Sequence, residues 1–308
     1  MMILHYERLH GYPVVFKSMT GLRVPQFDDL VSDLLPRFHA AHQQRLSRPQ
    51  RRRAIGAGHP FDLDPRNQIL LTVIWLRVYP IHEVLAYLFG GSDTTVGRTI
   101  ARVLPLLEAS GRATMRMPDP GRKRRRSLDA LLADTPELVV VIDSFEQRVQ
   151  RHKERKLADN YYSGKKKQHT LKSQVAVDEE TGQIVDVAES VPGPTADLKL
   201  LEGSKLLERL PAGVGGMGDL AYVGLDTLHP QGLGAAPRRK PRGKERPPED
   251  VCYNRAFSKR RIVVEHSIGR LRRYQALTQQ DRNHRQGHTA RVRAVAGLVN
   301  RQRWVAAA

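Results

Sequence analysis

The stretch Val139–Ser144, with the sequence VVVIDS, decides what kind of domain the second half of this chain forms. Four β-branched apolar residues in a row, preceded by Pro136, are typical of a short and fully buried strand. The run leads into Asp143, where we expect the strand to end, and a second acid, Glu146, follows three positions later. A carboxylate at such a position is costly to bury unless a cation meets it. Asp143 therefore either caps a turn or belongs to a polar site.

Strand-like and helix-like segments alternate after Asp143. The predicted elements are a hairpin of Gln168–Val177 and Ile184–Ala188, a helix over Ala196–Leu210, a glycine-rich strand over Val214–Tyr222, and helices over Phe257–Arg273 and the second half of Arg282–Arg303. Gly182 is available for a positive φ in the hairpin turn. Asp219 lies near the end of the glycine-rich strand, and Glu265 lies on the helix that follows. Periodicity by itself gives an α/β domain with a mixed sheet.

The first half of the chain is predicted to be helical. Phe27–Phe38 has apolar residues at helical spacing, and Asp64-Pro65 starts another helix, since proline suits the first helical position. A short helix over Ile81–Phe89 is followed by the tight turn Gly90-Gly91.

The segment after this turn begins another helix. Ser92 or Asp93 can cap it, and Thr94, Thr95 and Arg98 are free to point outward. A short helix, a glycine turn and a polar helix start predict a helix-turn-helix near residues 81–104. On pattern alone, an ordinary helical bundle with a glycine loop is slightly favoured over the helix-turn-helix.

The charge of the chain points to a polyanionic partner. Lysine and arginine number 51 against 32 acids, which gives a formal net charge of +19. Phosphate contacts supply most non-specific affinity for nucleic acids, so DNA or RNA is the expected partner. An anionic membrane is disfavoured because no apolar run approaches about 18 residues.

Several other classes are excluded by what the sequence lacks. The single cysteine, Cys252, rules out an internal disulfide and suits a reducing compartment. No phosphate loop of the GxxxxGK[ST] type and no GxGxxG occurs, so no nucleotide cofactor is implied. The twelve histidines show no metal-ligand spacing. The start of the chain does not have the pattern of a signal peptide.

Five segments in order resemble the catalytic region of DDE-type transposases of bacterial insertion sequences, in the branch of DDE superfamily endonucleases related to Harbinger transposases. The segments read VVVIDSFEQRVQR, YYSGKKKQHTLKSQVAVD, VPGPTADLKLLE, GDLAYVGL and FSKRRIVVEHSIGRLRRY. The resemblance covers roughly Asp134 to Trp304. It implies an RNase H-like fold, with an all-α helix-turn-helix domain ahead of it. The expected domains are 1–117 for DNA binding, a basic linker 118–133 that includes Arg122–Arg126, and a catalytic domain 134–308 with a basic C-terminal helix.

The resemblance implies that Asp143, Asp219 and Glu265 are catalytic and hold divalent metal ions. Two ions about 4 Å apart activate the attacking oxygen and stabilise the leaving one, and hard carboxylate oxygens suit Mg²⁺, with Mn²⁺ able to substitute. Other acids compete for the role. Asp197 at a helix start is expected to cap that helix, and Asp178 in the hairpin turn is expected to be solvated. Glu146 can contact the metal-binding residues without binding the metal itself.

The helix that carries Glu265 is otherwise cationic. Arg261 and Arg272 are placed on the face of Glu265, where they are expected to hold phosphate; the alternative is an ordinary helix salt bridge. The family pattern of Tyr, Arg, Glu and Lys is matched at Arg261 and Glu265, while Ser258 replaces the tyrosine and Arg272 the lysine. The remaining residues expected to bind DNA are Thr94, Thr95, Arg98, Lys165, Lys166 and Lys167.

The function that the resemblance implies is that of an insertion-sequence transposase in the bacterial cytoplasm, associated with the nucleoid when bound to DNA. Such an enzyme binds terminal inverted repeats of double-stranded DNA, cleaves by two-metal hydrolysis and joins the 3′-OH ends to target DNA. A homodimer on DNA is expected, because two ends must be brought together. The alternatives are a sequence-specific DNA-binding regulator with a relic catalytic domain, and a metal-dependent endonuclease without strand transfer.

Overall fold

A computed structural model describes residues 2–47, 61–121 and 128–303 of the chain. The basic run Arg122–Arg126 of the expected linker lies outside the described residues. The described chain divides into two units. The first contains the described residues of Met1–Ala113, Arg273–Leu277 and Arg293–Ala308, and the second contains those of Thr114–Arg272 and Thr278–Val292. Residues 293–303 thus group with the first unit, whereas the sequence analysis assigned them to the catalytic domain; the boundaries proposed there stay a prediction.

The first unit is helical. Its helices are α1 (Tyr6–Leu9), α2 (Pro13–Thr20), α3 (Val24–Leu46), α4 (Pro65–Val78), α5 (His82–Phe89) and α6 (Asp93–Thr114). The most deeply buried is α4, where Ile69–Trp75 are all fully enclosed. Its start follows the predicted signal: Asp64 caps it by accepting a hydrogen bond from the backbone N–H of Asn67 at 3.0 Å, and Pro65 is its first residue.

The predicted short helix, glycine turn and polar helix start are present in the first unit. Gly90 ends α5 with φ +68°, a left-handed conformation that glycine adopts without steric cost. The Ser92 hydroxyl caps α6 by accepting from the backbone N–H of Thr95 at 3.2 Å. Val96, Ile100 and Val103 bury one side of α6, and its opposite side is polar.

The second unit is built on a mixed sheet. Its strands are β1 (Leu138–Arg148), β2 (Tyr162–Ser163), β3 (Gln168–Asp178), β4 (Ile184–Val187), β5 (Val191–Pro192), β6 (Val214–Met217) and β7 (Gly234–Ala235). In the described residues the order is β2-β3-β1-β6-β7, with β4 and β5 also paired to β3. β1 is antiparallel to β3 and parallel to β6, so it is the strand at which the sheet changes from antiparallel to parallel.

The helices of the second unit surround this sheet. They are α7 (Arg155–Asp159), α8 (Asp197–Ser204), α9 (Leu225–Leu228), α10 (Pro248–Leu271) and the first turn of α11 (His288–Arg303). Leu138, Val140 and Ile142 of β1 join a buried apolar cluster with residues of α8 and α9, while α10 packs on β1 and β3. Burial of each such side chain stabilises the unit by about 1.5–3 kcal/mol.

The prediction that the first strand ends at Asp143 is wrong. β1 continues to Arg148, which pairs with Thr170 of β3. The apolar run ends at Ile142, but Phe145 and Gln147 beyond it are still buried, so the strand continues with one covered face. Asp143 therefore lies inside a strand and does not cap a turn.

Other predicted boundaries differ by a few residues. The glycine-rich strand is limited to β6, because Gly218 turns the chain so closely past Tyr222 that a Cβ atom at Gly218 would lie 2.5 Å from the tyrosine ring. The helix predicted over Ala196–Leu210 is α8, followed by a 3-10 turn at Leu207–Arg209. The helix that carries Glu265 begins earlier than predicted, at Pro248. No helix in the described ranges is long and apolar enough to span a membrane.

Candidate active site

Asp143 lies on β1, and Asp219 follows the end of the neighbouring parallel strand β6 at the same level. Val141 of β1 pairs with Met217 of β6, and the offset of 76 residues between them is also the offset between Asp143 and Asp219. β6 ends at Met217, and Asp219 caps the 3-10 turn Leu220–Tyr222 by accepting from the backbone N–H of Ala221 at 2.8 Å. Parallel pairing thus brings together two acids that are far apart in sequence.

Arg261 lies between Glu265 and Asp143 and contacts both carboxylates. Arg261 precedes Glu265 by one turn of α10, and its Nη2 lies 3.9 Å from Glu265 Oε1 and 3.9 Å from Asp143 Oδ2. The Arg261 side chain is only 14 % exposed, whereas that of Glu265 is 59 % exposed. The guanidinium group therefore stands between a buried and an open carboxylate.

The electrostatics of Asp143 are unusual for an aspartate. Burial, together with the smaller effect of the negative charges of Asp219 and Asp197, raises the pKa of Asp143 to about 6. A hydrogen bond from the backbone N–H of Ser144, 2.8 Å long, and the charge of Arg261 oppose this shift. The charged form of Asp143 is thus destabilised in the folded protein, and an added cation would stabilise it.

Asp197 does not cap α8, contrary to the prediction. The cap position is Ala196, and Asp197 is the first residue inside the helix. Its Oδ1 accepts from the Ser144 hydroxyl at 2.6 Å and lies 3.1 Å from Nζ of Lys172. Lys172 also donates to the carbonyl of Thr195 at 2.5 Å. This buried ion pair supports the backbone of β1 next to Asp143.

Tyr222 lies among the same acids. Its hydroxyl donates to Gln174 Oε1 at 3.3 Å, and the residue is fully buried. Burial strongly raises the pKa of Tyr222, and the charges of Asp197, Asp143 and Asp219 add to the effect. The phenol therefore stays protonated and serves as a hydrogen-bond donor.

Sequence reasoning missed Lys172, Ser144 and Tyr222. Lys172 carried a usable signal, because a lysine inside an otherwise buried strand pattern needs a counter-charge. Two competing acids also have defined places. Glu146 accepts from the Thr170 hydroxyl at 2.6 Å, and Asp178, which was expected to be solvated, is buried and accepts from the Thr181 hydroxyl at 2.7 Å.

The donor set suits a hard divalent cation only in part. Asp143 and Asp219 offer carboxylate oxygens close enough for the charge of one to act on the other, and burial makes the Asp143 anion a group that a cation would stabilise. In residues 2–47, 61–121 and 128–303, however, no three acidic, histidine or cysteine side chains converge tightly enough to hold a metal. Glu265 is separated from Asp143 by Arg261.

The residues expected to bind DNA occupy several places. Lys165, Lys166 and Lys167 form an exposed turn between β2 and β3, and Lys167 has φ +52°. Arg272 follows the end of α10 and is exposed, so it does not share the carboxylate contacts of Arg261. Thr94, Thr95 and Arg98 form the polar start of α6 in the first unit. Thr94 and Arg98 are exposed and Thr95 is half-buried.

Comparison with known proteins finds matches for the helical unit and for the chain as a whole. The family model for the helix-turn-helix of DDE superfamily endonucleases matches residues 61–113, the segment that holds α4, α5 and α6. A curated relative, the "Probable transposase for insertion sequence element IS702" of Microchaete diplosiphon, is 29 % identical over 287 residues, which cover 92 % of this chain and 93 % of the relative. No solved structure matches the chain.

The α/β unit is matched as well. The model of the DDE superfamily endonuclease family matches residues 142–300, more than half of the chain, and the matched segment contains Asp143, Asp219 and Glu265. A helix-turn-helix segment precedes this match, as the model for residues 61–113 shows. The chain belongs to the family of DDE superfamily endonucleases.

Proposed function

We propose that this protein is an insertion-sequence transposase that binds the terminal inverted repeats of its element, cleaves the DNA and joins the 3′-OH ends to target DNA. One observation carries the proposal: Asp143 on β1 and Asp219, two residues after the end of the parallel strand β6, lie at the same level, and Arg261 lies 3.9 Å from the carboxylates of both Asp143 and Glu265. The name of the Microchaete diplosiphon relative supports the same conclusion. A homodimer on DNA is part of the proposal, because two ends must meet.

The α/β unit is proposed to be RNase H-like. The chain contains, in order, three antiparallel strands, a helix, a strand parallel to the first and a late helix with a carboxylate. This order supports the assignment.

Asp143, Asp219 and Glu265 are proposed to hold Mg²⁺, or Mn²⁺ in its place. When bound, the ions supply an activated oxygen nucleophile and stabilise the leaving 3′-oxygen. Asp143 must be ionised to act as a ligand. The Ser144–Asp197–Lys172 network holds the segment of β1 that carries it.

Positive charge near these acids has a second proposed role. Arg261 binds a DNA phosphate next to the carboxylates, and its guanidinium group suits this because it presents planar paired donors. Arg272 and Lys165, Lys166 and Lys167 are proposed to contact the backbone further along. Phosphate held in this way orients the scissile bond, and orientation is a large part of phosphoryl-transfer catalysis.

The decisive experiment is a product assay. Purified protein, Mg²⁺, a duplex ending in the element's inverted repeat and a supercoiled target plasmid are incubated together, and the products are separated by length. We expect repeat ends covalently joined to plasmid. Binding without cleavage in Mg²⁺ or Mn²⁺ would favour the regulator with a relic catalytic domain. Cleaved ends that are never joined would favour an endonuclease without strand transfer.

A further inference from the structure

A cleft in the helical unit is lined by three arginines. It lies between the end of α3, the segment Phe61–Leu63 and one face of α6, and has a volume of about 380 Å³. Arg45, Arg98 and Arg102 line it, and the same three residues line a neighbouring hollow of about 290 Å³. None of the three was placed in a cleft by the sequence analysis.

Positive charge exceeds negative charge among the side chains that line this cleft, with three arginines against one aspartate. Within the described part of the chain, Arg45, Arg98 and Arg102 make no ion pair, and the Asp62 carboxylate lines the cleft beside them. Other arginines of the same unit are paired: Arg37 with Asp33, and Arg112 with Glu108. The cleft therefore brings together three arginines that have no carboxylate partner of their own among the described residues.

Two of the guanidinium groups are held in place around one aromatic ring. Arg102 lies 4.1 Å above the centre of the Phe61 ring, and Arg45 lies 5.9 Å from it. Nη1 of Arg102 also donates to Gln68 Oε1 at 2.5 Å. Burial lowers the pKa of Arg102, and the charge of Arg45 lowers it further. Two cations held this close repel each other, and an anion between them would relieve the repulsion.

We propose that this cleft binds a backbone phosphate of the duplex whose bases are recognised by the first turn of α6. The inference rests on the proposed function, because a transposase that binds inverted repeats must read bases, and Thr94, Thr95 and Arg98 at the start of α6 are the residues expected to do so. Arg102 follows Arg98 by four residues, so both lie on one face of α6, about 6 Å apart along its axis. Arg45 and Arg102 fix the helix on the backbone, and the residues at the start of α6 choose the sequence.

The test replaces Arg45, which is more exposed than Arg102. Arg45→Gln removes one positive charge at a side chain with few contacts, so the fold is retained, and Arg37→Gln removes the same charge from the same helix outside the cleft. Binding to the inverted-repeat duplex and to a scrambled duplex is measured by fluorescence anisotropy over a series of salt concentrations. Arg45→Gln should weaken both duplexes by the same factor and reduce the slope of log K against log salt by about 1. Arg45→Lys should restore part of the loss, and Arg37→Gln should change little.

Each other outcome has a definite meaning. Equal behaviour of Arg45→Gln and Arg37→Gln would overturn the inference while the protein still prefers the inverted repeat, which leaves the proposed function intact. A wild-type protein that binds neither duplex would instead contradict the proposed function. Inorganic phosphate is tested at matched ionic strength by thermal shift. Stabilisation that depends on Arg45, without loss of duplex binding in Arg45→Gln, would assign the cleft to a free anion and overturn the inference as well.

Discussion

At the scale of single residues, Asp143 is the side chain whose environment is most unusual. It is an acid inside a buried strand, near a second acid, Asp219, and the positive charge of Arg261 lies 3.9 Å away. A structural aspartate in such a place would have a close ion pair or several hydrogen bonds. The incomplete compensation supports the proposed role of Asp143 as a metal ligand.

This environment has a measurable effect on stability. The pKa of Asp143 is raised from 3.8 in the unfolded chain to about 6. Between these values the folded protein keeps a proton that the unfolded chain has lost, so the free energy of unfolding falls as the pH rises through this window. At a raised pKa of this size the penalty above pH 6 is of order 3 kcal/mol.

Asp143→Asn should therefore stabilise the metal-free protein, and more at about pH 7.5 than at about pH 4.5. Thermal denaturation in excess EDTA measures this, with Asp159→Asn, at an exposed carboxylate, as the control. An equal change of melting temperature at both pH values would show that Asp143 does not titrate as described. Added Mg²⁺ should stabilise the wild-type protein at neutral pH and not Asp143→Asn.

Some residues of the site were predictable from sequence and others were not. Asp143, Asp219 and Glu265 could be chosen because each has a distinctive local context. The pairing of Lys172 with Asp197 was not predictable, because it joins residues 25 apart that meet only when α8 packs against the sheet. Asp197 was mistaken for a helix cap for the same reason: the local pattern fitted a cap, and the tertiary partner was invisible.

At the scale of elements, two helices divide the work that the proposal assigns. The start of α6 is polar and open, with Thr94 and Arg98 exposed. α10 buries Phe257, Val264 and Leu271 and presents Arg261 and Glu265 on its polar side. Amphipathic periodicity predicted both helices, since the apolar stripe fixes which side faces the core. It could not predict that β1 continues past Asp143, because only pairing with β3 shows that the later residues belong to the strand.

Because α6 and α10 are assigned different roles, substitution of Arg98 should affect sequence-specific binding and substitution of Arg261 should affect cleavage. Arg98→Ala should cost about 1–3 kcal/mol of binding on the inverted repeat and little on scrambled DNA, because arginine at a recognition helix pairs with a base edge. Arg261→Ala should slow cleavage with little change of sequence preference. Both variants are measured on cognate and scrambled duplexes at one salt concentration. Equal weakening of both duplexes by Arg98→Ala would make that residue a phosphate anchor and remove it from base recognition.

At the scale of the whole molecule, the chain combines a helical unit with an open polar helix start and an α/β unit with a cluster of acids. The net charge of +19 predicted a polyanionic partner from composition alone, and the match to DDE superfamily endonucleases agrees with it. Composition could not locate that charge. The structure places part of the positive charge in the cleft lined by Arg45, Arg98 and Arg102 and part at Arg261 beside the acids. These two places are far apart in the sequence.

DNA cleavage in Mg²⁺ by Asp143→Asn, Asp219→Asn and Glu265→Gln tests whether these three carboxylates form the active site. Each substitution removes one proposed metal ligand and no proposed phosphate contact, so each should abolish cleavage of an inverted-repeat duplex while its affinity for that duplex stays close to wild type. Glu202→Gln, at an exposed acid of α8, is the matched control and should cleave normally. Cleavage at the wild-type rate by any one of the three variants would remove that residue from the active site and contradict the central claim.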